Sequence, residues 1–182
     1  MLESLITSGT RIKLLLKFFI NPANKGYLRQ IASEFGESTN SIRVELNKLT
    51  KAKILLSELS GRNIMYFANT GHPLYTDIRN IVLKSTGIDQ VISNILNTLG
   101  KIDFAFVRGD YAAGIDSGLI DLVIVGEDIN TRELERVKVK TEALIHRKIS
   151  VLLLTGEEYE NLKPMFEREP VLVLIHEAEE ED

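Results

Sequence analysis

The sequence predicts an α+β chain of two domains, and three observations carry that prediction. Up to about residue 84, four segments have helical apolar spacing and one pair of short runs meets at a turn. From residue 101, strand-like runs alternate with helices around what must be a small central mixed sheet. The charge also changes sign: residues 1–84 carry 12 Lys and Arg against 6 Asp and Glu, whereas residues 85–182 carry 10 against 20. The expected division is a domain over 1–84, a linking or dimerisation helix over 85–100, a second domain over 101–176 and an acidic tail over 177–182.

The first helix is expected over Thr10 to Ile20, with Ile12, Leu15, Leu16 and Phe19 inward and Asn21-Pro22 as its stop. A second, Tyr27 to Phe35, places Tyr27 or Leu28, Ile31 and Phe35 on one face, with small Ala32 where another helix can approach. Gly36 ends it. Ser38 caps a third helix, whose buried stripe is Ile42, Leu46 and Leu49 at i, i+4 and i+7. The runs Leu55 to Leu59 and Ile64 to Ala68, joined by Ser60-Gly61-Arg62-Asn63, read as a β-hairpin with an arginine near its tip. Three helices, a glycine turn and a hairpin spell a winged helix-turn-helix, a module that reads DNA. The free face of the third helix carries Thr39, Asn40, Arg43, Asn47, Lys48 and Lys51, donors and amides of the kind that base edges and phosphates accept. Thr39, Asn40, Arg43 and Asn47 are the candidates for the major groove; Lys48, Lys51 and Arg62 are those for phosphate or the minor groove. A basic half is the electrostatic footprint of a polyanion binder, and the acidic half would be repelled by the same duplex.

After the turn Gly71-His72-Pro73, Leu74 to Leu83 has Leu74, Ile78, Ile81 and Val82 at helical spacing, expected to pack back on the module. Gly87 breaks the pattern. Ile88, Val91, Ile92, Ile95, Leu96 and Leu99 then form an apolar stripe closed by Gly100, suited either to intramolecular core or to a dimer. Strands follow at Ile102 to Val107, Leu119 to Val125 and Ile149 to Leu154. A helix is expected from about Thr131 to His146, and a short one opens at Thr155-Gly156-Glu157-Glu158 and runs to about Lys163. Val171 to Ile175 is the last strand, after Pro170.

The segment from Val107 to Gly126, with Gly109-Asp110 opening its loop and Leu119-Ile120-Asp121 on its strand, resembles the nucleotidyltransferase-like fold of the DNA polymerase β superfamily over roughly residues 100–165. The resemblance implies a Gly-Ser pair cradling triphosphate and two aspartates two residues apart on a strand, since i and i+2 share a face and converge on one Mg²⁺. A third carboxylate comes from a later strand. Here Gly109 matches, Asp110 replaces the serine, Leu119 occupies the first metal position, Asp121 keeps its carboxylate, and Ser150 stands where the third acid is expected. Leucine cannot coordinate a hard cation, and an acid beside the phosphate loop repels triphosphate. The site therefore reads as degenerate, with no catalytic residue, metal or cofactor assigned. The spacing of Asp110, Asp116 and Asp121 predicts no shared face. The N-terminal half is similar to ArsR/MarR-type winged-helix regulators, and the fused layout implies a transcriptional regulator that binds double-stranded DNA as a homodimer. The second domain would sense a small-molecule or protein effector.

Other chemistry finds little support. The chain has no cysteine, so disulfides and thiolate metal sites are excluded. His72, His146 and His176 lack metal-ligand spacing, and no Gly-x-Ser-x-Gly elbow or Walker loop occurs. Leu14 to Ile20 is too short and too interrupted to span a bilayer, and no signal segment opens the chain, so a cytoplasmic protein without membrane contact is expected. Two alternatives remain: a metal-dependent nucleotidyltransferase targeted by its winged helix, and a winged helix that binds protein. The polar, basic third helix ranks the latter last.

Overall fold

Side-chain caps start four of the helices. Ser8 accepts the Arg11 N–H at 3.3 Å and opens α1 (Gly9–Phe19). Ser38 accepts the Ser41 N–H at 3.1 Å and opens α3 (Thr39–Lys51), while Gly36, at φ 64°, ends α2 (Leu28–Phe35) in the left-handed conformation that glycine adopts without cost. The computed structural model describes residues 2–96, 98 and 99, and 102–176. It divides into two compact units, Met1–Ser85 and Thr86–Asp182. The expected helix stop at Gly100 and the acidic tail over 177–182 lie outside the described residues.

In the first unit, α1 is buried on more than one face. Leu14 and Phe18 are fully enclosed alongside the expected Ile12, Leu15 and Phe19, whereas Leu16 is only half-buried. Its one buried cation, Lys17, donates to both oxygens of Glu34 on α2 at 2.8 Å, which satisfies a charge that would otherwise be costly to enclose. The α3 stripe of Ile42, Leu46 and Leu49 is buried as its spacing predicts. Strands β2 (Leu55–Ser60) and β3 (Asn63–Ala68) form the antiparallel hairpin, with Ser60 opposite Asn63 and Gly61-Arg62 at the bend. A short strand, β1 (Lys25–Tyr27), pairs with the other edge of β3. Three residues are too few to show a period, so the sequence does not announce it.

Helix α4 (Tyr75–Thr86) departs from its expected face. Val82 and Leu83 are buried, but Leu74, just before the helix, and Ile81 are exposed. Tyr75 anchors its start, with its ring 5.6 Å from that of Phe19.

In the second unit the sheet order is β6-β5-β4-β7, from β4 (Phe104–Arg108), β5 (Leu119–Val125), β6 (Lys148–Leu154) and β7 (Val171–His176). Only β5 and β6 run parallel, so the sheet is small and mixed. Phe106, Val123 and Val125 pack with Leu154 and with Phe166 of α8 (Gly156–Phe166). A reciprocal capping box, Thr155 with Glu158, starts α8. Helix α7 (Thr131–Ile145) is capped by Asn130, which accepts the Glu133 N–H at 3.1 Å. The glycine loop closes early into a single turn, α6 (Gly109–Ala112).

The apolar stripe from Ile88 is not one α-helix. It is a short α5 (Ile88–Val91) followed by a π-helical segment, Ile92–Leu96, packed on α7. Ile88, Val91, Ile95 and Leu96 are buried within this unit, so they belong to its core and are not free to join two subunits. Among the described residues no helix is long and apolar enough to cross a membrane.

Gly87 lets α5 lie this close. Its φ is 83°, and a Cβ added there would sit 2.7 Å from Cβ of Ile145 on α7. Gly87→Ala is therefore expected to destabilise the second unit by about 1–3 kcal/mol through overpacking. Urea denaturation followed through this unit checks this, and an unchanged midpoint would contradict it.

Candidate nucleic-acid interface

The α3 stripe faces inward, so its opposite side must face solvent, and Thr39, Asn40, Arg43, Asn47, Lys48 and Lys51 are all exposed. Arg43 and Asn47, one turn apart, form one wall of a cleft of about 630 Å³. Arg62 and Asn63 at the hairpin bend line it from the other side, with Ile64 and Tyr66 of β3. Tyr27, Leu28 and Arg29, where β1 passes into α2, complete it. Three arginines line the cleft and no carboxylate does. Among the described residues, Arg29, Arg43 and Arg62 make no ion pair, so their charge is uncompensated.

Of the seven expected contact residues, the cleft gathers Arg43, Asn47 and Arg62. Thr39 and Asn40 lie at the α3 N-terminus, and Lys51 at its last turn. Lys48 is exposed but its ammonium lies 2.9 Å from Glu45, which offsets part of the charge it would bring to phosphate. Sequence reasoning missed Arg29 and Asn63. Arg29 follows an apolar pair at a strand-to-helix junction, and only the unrecognised β1 strand places it beside α3.

Buried polar contacts hold α3 in place. Glu45 is buried on the inner side of α3, accepting from Nε of Arg11 on α1 at 2.8 Å and from Nζ of Lys48 at 2.9 Å. Burial pushes its carboxyl up, but these two donors outweigh burial and hold it below the usual carboxylate range. Glu37, just before α3, accepts from Lys13 at 2.8 Å and from Thr10 at 2.5 Å, and these bonds lower its pKa as well. Both acids near the cationic face are thereby neutralised by α1. The hairpin has its own tether, a 3.0 Å hydrogen bond between the Tyr27 hydroxyl on β1 and the Ser60 hydroxyl at the end of β2.

The residues of the nucleotidyltransferase-like pattern lie at the start of β5. Leu119 is exposed, Asp121 is half-buried, and Ser150 stands directly beside Asp121 on β6. Gly109 has φ 67°, and a Cβ added there would lie 3.3 Å from Oδ2 of Asp121. Asp110 is exposed at the start of α6. The backbone therefore brings Gly109, Asp121 and Ser150 together, with a leucine where a second acid would be needed.

Asp116 takes another role. It accepts from Nε of Arg147 at 3.0 Å, from Nη2 of the same guanidinium at 2.5 Å, and from the fully buried Tyr111 hydroxyl. Burial raises its pKa, but the bonds from Arg147 and Tyr111 win and lower it. The Tyr111 hydroxyl is pushed well above its ordinary range, by burial first and by Asp116 second. Arg147 also donates to the Ile145 carbonyl at 2.8 Å, which ties the loop to the end of α7. Among the described residues no three His, Cys, Asp or Glu side chains converge as a metal site. His72 accepts the Leu74 N–H at 3.1 Å, and His146 closes α7 in the left-handed conformation, so both serve the backbone.

No protein-family model matches the chain, and no curated protein does. Comparison with solved structures finds a protein of Archaeoglobus fulgidus, AF1382, whose crystal structure is known. It is 18% identical over 52% of this chain and 99% of its own, with a TM-score of 0.37. At that score the likeness carries no argument about fold or function.

The lowered pKa values of Glu37 and Glu45 have a sign. A carboxylate depressed in the folded state stabilises it above the unfolded value, near 4.5, and that contribution is lost as pH falls through the folded value. The first unit should thus lose stability below about pH 5, and Glu37→Gln with Glu45→Gln should flatten the acid limb. Urea midpoints between about pH 3 and pH 7 test this; an unchanged slope in the double variant would refute it.

Proposed function

We propose that the first unit is a winged helix-turn-helix that binds duplex DNA in a sequence-dependent way, and that the protein is a cytoplasmic, homodimeric transcriptional regulator. One observation carries this reading: the open cleft between α3 and the hairpin is lined by Arg29, Arg43 and Arg62 with no acid among them. A cleft lined by one sign of charge attracts a polyanion, and a protruding helix is the element that a major groove admits. In this reading α3 enters the groove, Asn40 and Asn47 pair with adenine and Arg43 with guanine, while Lys51, Arg29 and Arg62 meet phosphate or the minor groove. Lys48 contributes less because Glu45 already holds it.

The second unit in this reading is a catalytically degenerate nucleotidyltransferase-like domain that serves sensing, dimerisation or partner contact. The close placement of Gly109, Asp121 and Ser150 supports the scaffold. Leu119 and the engagement of Asp116 by Arg147 argue against metal-dependent transfer. With Ile88, Val91, Ile95 and Leu96 buried, a second copy would have to use apolar residues that stay exposed, such as Leu74 and Ile81 at α4 or Val139 and Leu144 on α7.

Selection on a random-sequence duplex library, followed by a salt titration of the best binder, tests the reading. A palindromic consensus with affinity falling steeply in salt is expected; no enrichment would refute it. Arg43→Ala should cost about 1–3 kcal/mol at one base position and relax specificity there. Lys51→Ala and Arg29→Ala should instead weaken all sequences alike and lower the salt slope by about one each. Equal losses on consensus and random DNA for Arg43→Ala would remove it from the base-reading set.

A further inference from the structure

Residues 85–182 carry 20 acidic side chains against 10 basic ones, yet one line of α7 is cationic. Arg132, Arg136 and Lys140 follow at i, i+4 and i+8 and are all exposed. Two of them border a cleft of about 270 Å³ between α7 and the segment that follows α5, lined by Ser93, Asn94, Thr98, Arg136, Val137 and Lys140. No acid lines it. Glu133 holds Arg136 from outside through Nε at 2.9 Å and through Nη2, which fixes the guanidinium at the rim and leaves Nη1 without a protein partner. Lys140 makes no ion pair among the described residues. Lys138, off this line, is paired with Glu135 at 3.0 Å.

The opposite wall is the π-helical segment Ile92–Leu96. A π turn is rare, and it recurs where a helix has been reshaped for a site. Its buried residues, Ile95 and Leu96, face the core, while Ser93, Asn94 and Thr98 line the cleft. One wall thus offers two cations a helical turn apart, the other offers neutral hydroxyl and amide groups, and buried Val137 forms the apolar floor.

We propose that this cleft binds a small phosphate monoester. Arg136 is already paired with Glu133, so a ligand must carry more charge than a carboxylate to compete for it, and a phosphate dianion held by Lys140 and by Nη1 of Arg136 meets that need. Ser93, Asn94 and Thr98 would hold a hydroxylated body. The volume lies just below the range of about 300–1,000 Å³ typical of small-molecule sites, which fits a sugar phosphate and is too small for a dinucleotide. The inference is independent of the DNA reading.

The test uses the full-length, ¹⁵N-labelled protein titrated with ribose 5-phosphate, with ribose and with inorganic phosphate, and follows backbone amide shifts. Ribose 5-phosphate should give saturable shifts at Ser93, Asn94, Thr98 and residues 136–140, inorganic phosphate weaker shifts at the same amides, and ribose none. Lys140→Gln should raise the Kd at least about tenfold, equal to about 1.4 kcal/mol, and Lys138→Gln should leave it unchanged. Absence of saturable shifts, equal binding of ribose, or an unchanged Kd in Lys140→Gln would each overturn the proposal. Because no DNA is present, failure here leaves the regulator reading standing, and failure of DNA selection leaves this one standing.

Discussion

Everything the first unit presents to solvent depends on which face of α3 is buried. Ile42, Leu46 and Leu49 are enclosed, and a helix of period 3.6 then has no freedom over where Arg43 and Asn47 point. Enclosing each such aliphatic side chain stabilises the fold by about 1.5–3 kcal/mol, more than a partly exposed ion pair contributes. The stripe therefore supplies the energy. Glu45 supplies rotational register, because turning α3 by one residue would take that buried carboxylate away from Arg11 on α1. The same arrangement offsets the charge of Lys48 and leaves Arg43 and Lys51 as the uncompensated cations of the face.

The hairpin depends on α3 at one remove. Leu55, Tyr66 and Ala68 are buried at its base, while Leu59 is exposed near its tip. The base is therefore fixed by packing, and the tip is held by strand pairing, the Tyr27–Ser60 hydrogen bond and an exposed Lys25–Glu58 ion pair at 3.6 Å. In the proposed DNA-binding reading, that division suits an arm whose end meets the duplex while its root is fixed to α3. It also explains why β1, only three residues long, matters: it carries Tyr27 and delivers Arg29 to the cleft.

Long periodic segments were legible in the sequence, and short or doubly buried ones were not. The α3 stripe, the hairpin register around Gly61-Arg62 and all four strands of the second sheet follow from spacing alone. The spacing of α1 predicts a single buried face, but Leu14 and Phe18 are as enclosed as Ile12, because neighbours surround the helix and periodicity reports only one buried face. For α4, apolar spacing favoured Leu74 and Ile81, whereas packing selected Val82 and Leu83. Local pattern cannot choose between two apolar faces when the deciding neighbour is distant in sequence. The π segment gave no signal, since its apolar residues also satisfy α-helical spacing. Of the candidate interface, spacing on α3 supplied Arg43 and Asn47 and the turn supplied Arg62. Arg29 required tertiary structure.

In the second unit the start of β5 offers a metal ion little. Residues i and i+2 on β5 do share a face, but leucine fills one position and the neighbouring strand offers a serine. Asp116, a partly buried acid in the loop just before this strand, is saturated by a guanidinium and a phenol. A divalent cation there would have to displace Arg147 from a carboxylate that accepts two of its N–H groups, and would leave that partly buried guanidinium without its counter-ion. The Tyr111 hydroxyl, enclosed and raised in pKa, would lose its acceptor in the same step. Those losses oppose metal entry, so the Asp116 cluster is better understood as the clasp that holds the loop between α6 and β5 against the end of α7. With that loop fixed, the exposed cationic line of α7 lies on a rigid support, which is what a ligand site needs if binding is not to be offset by the cost of ordering it.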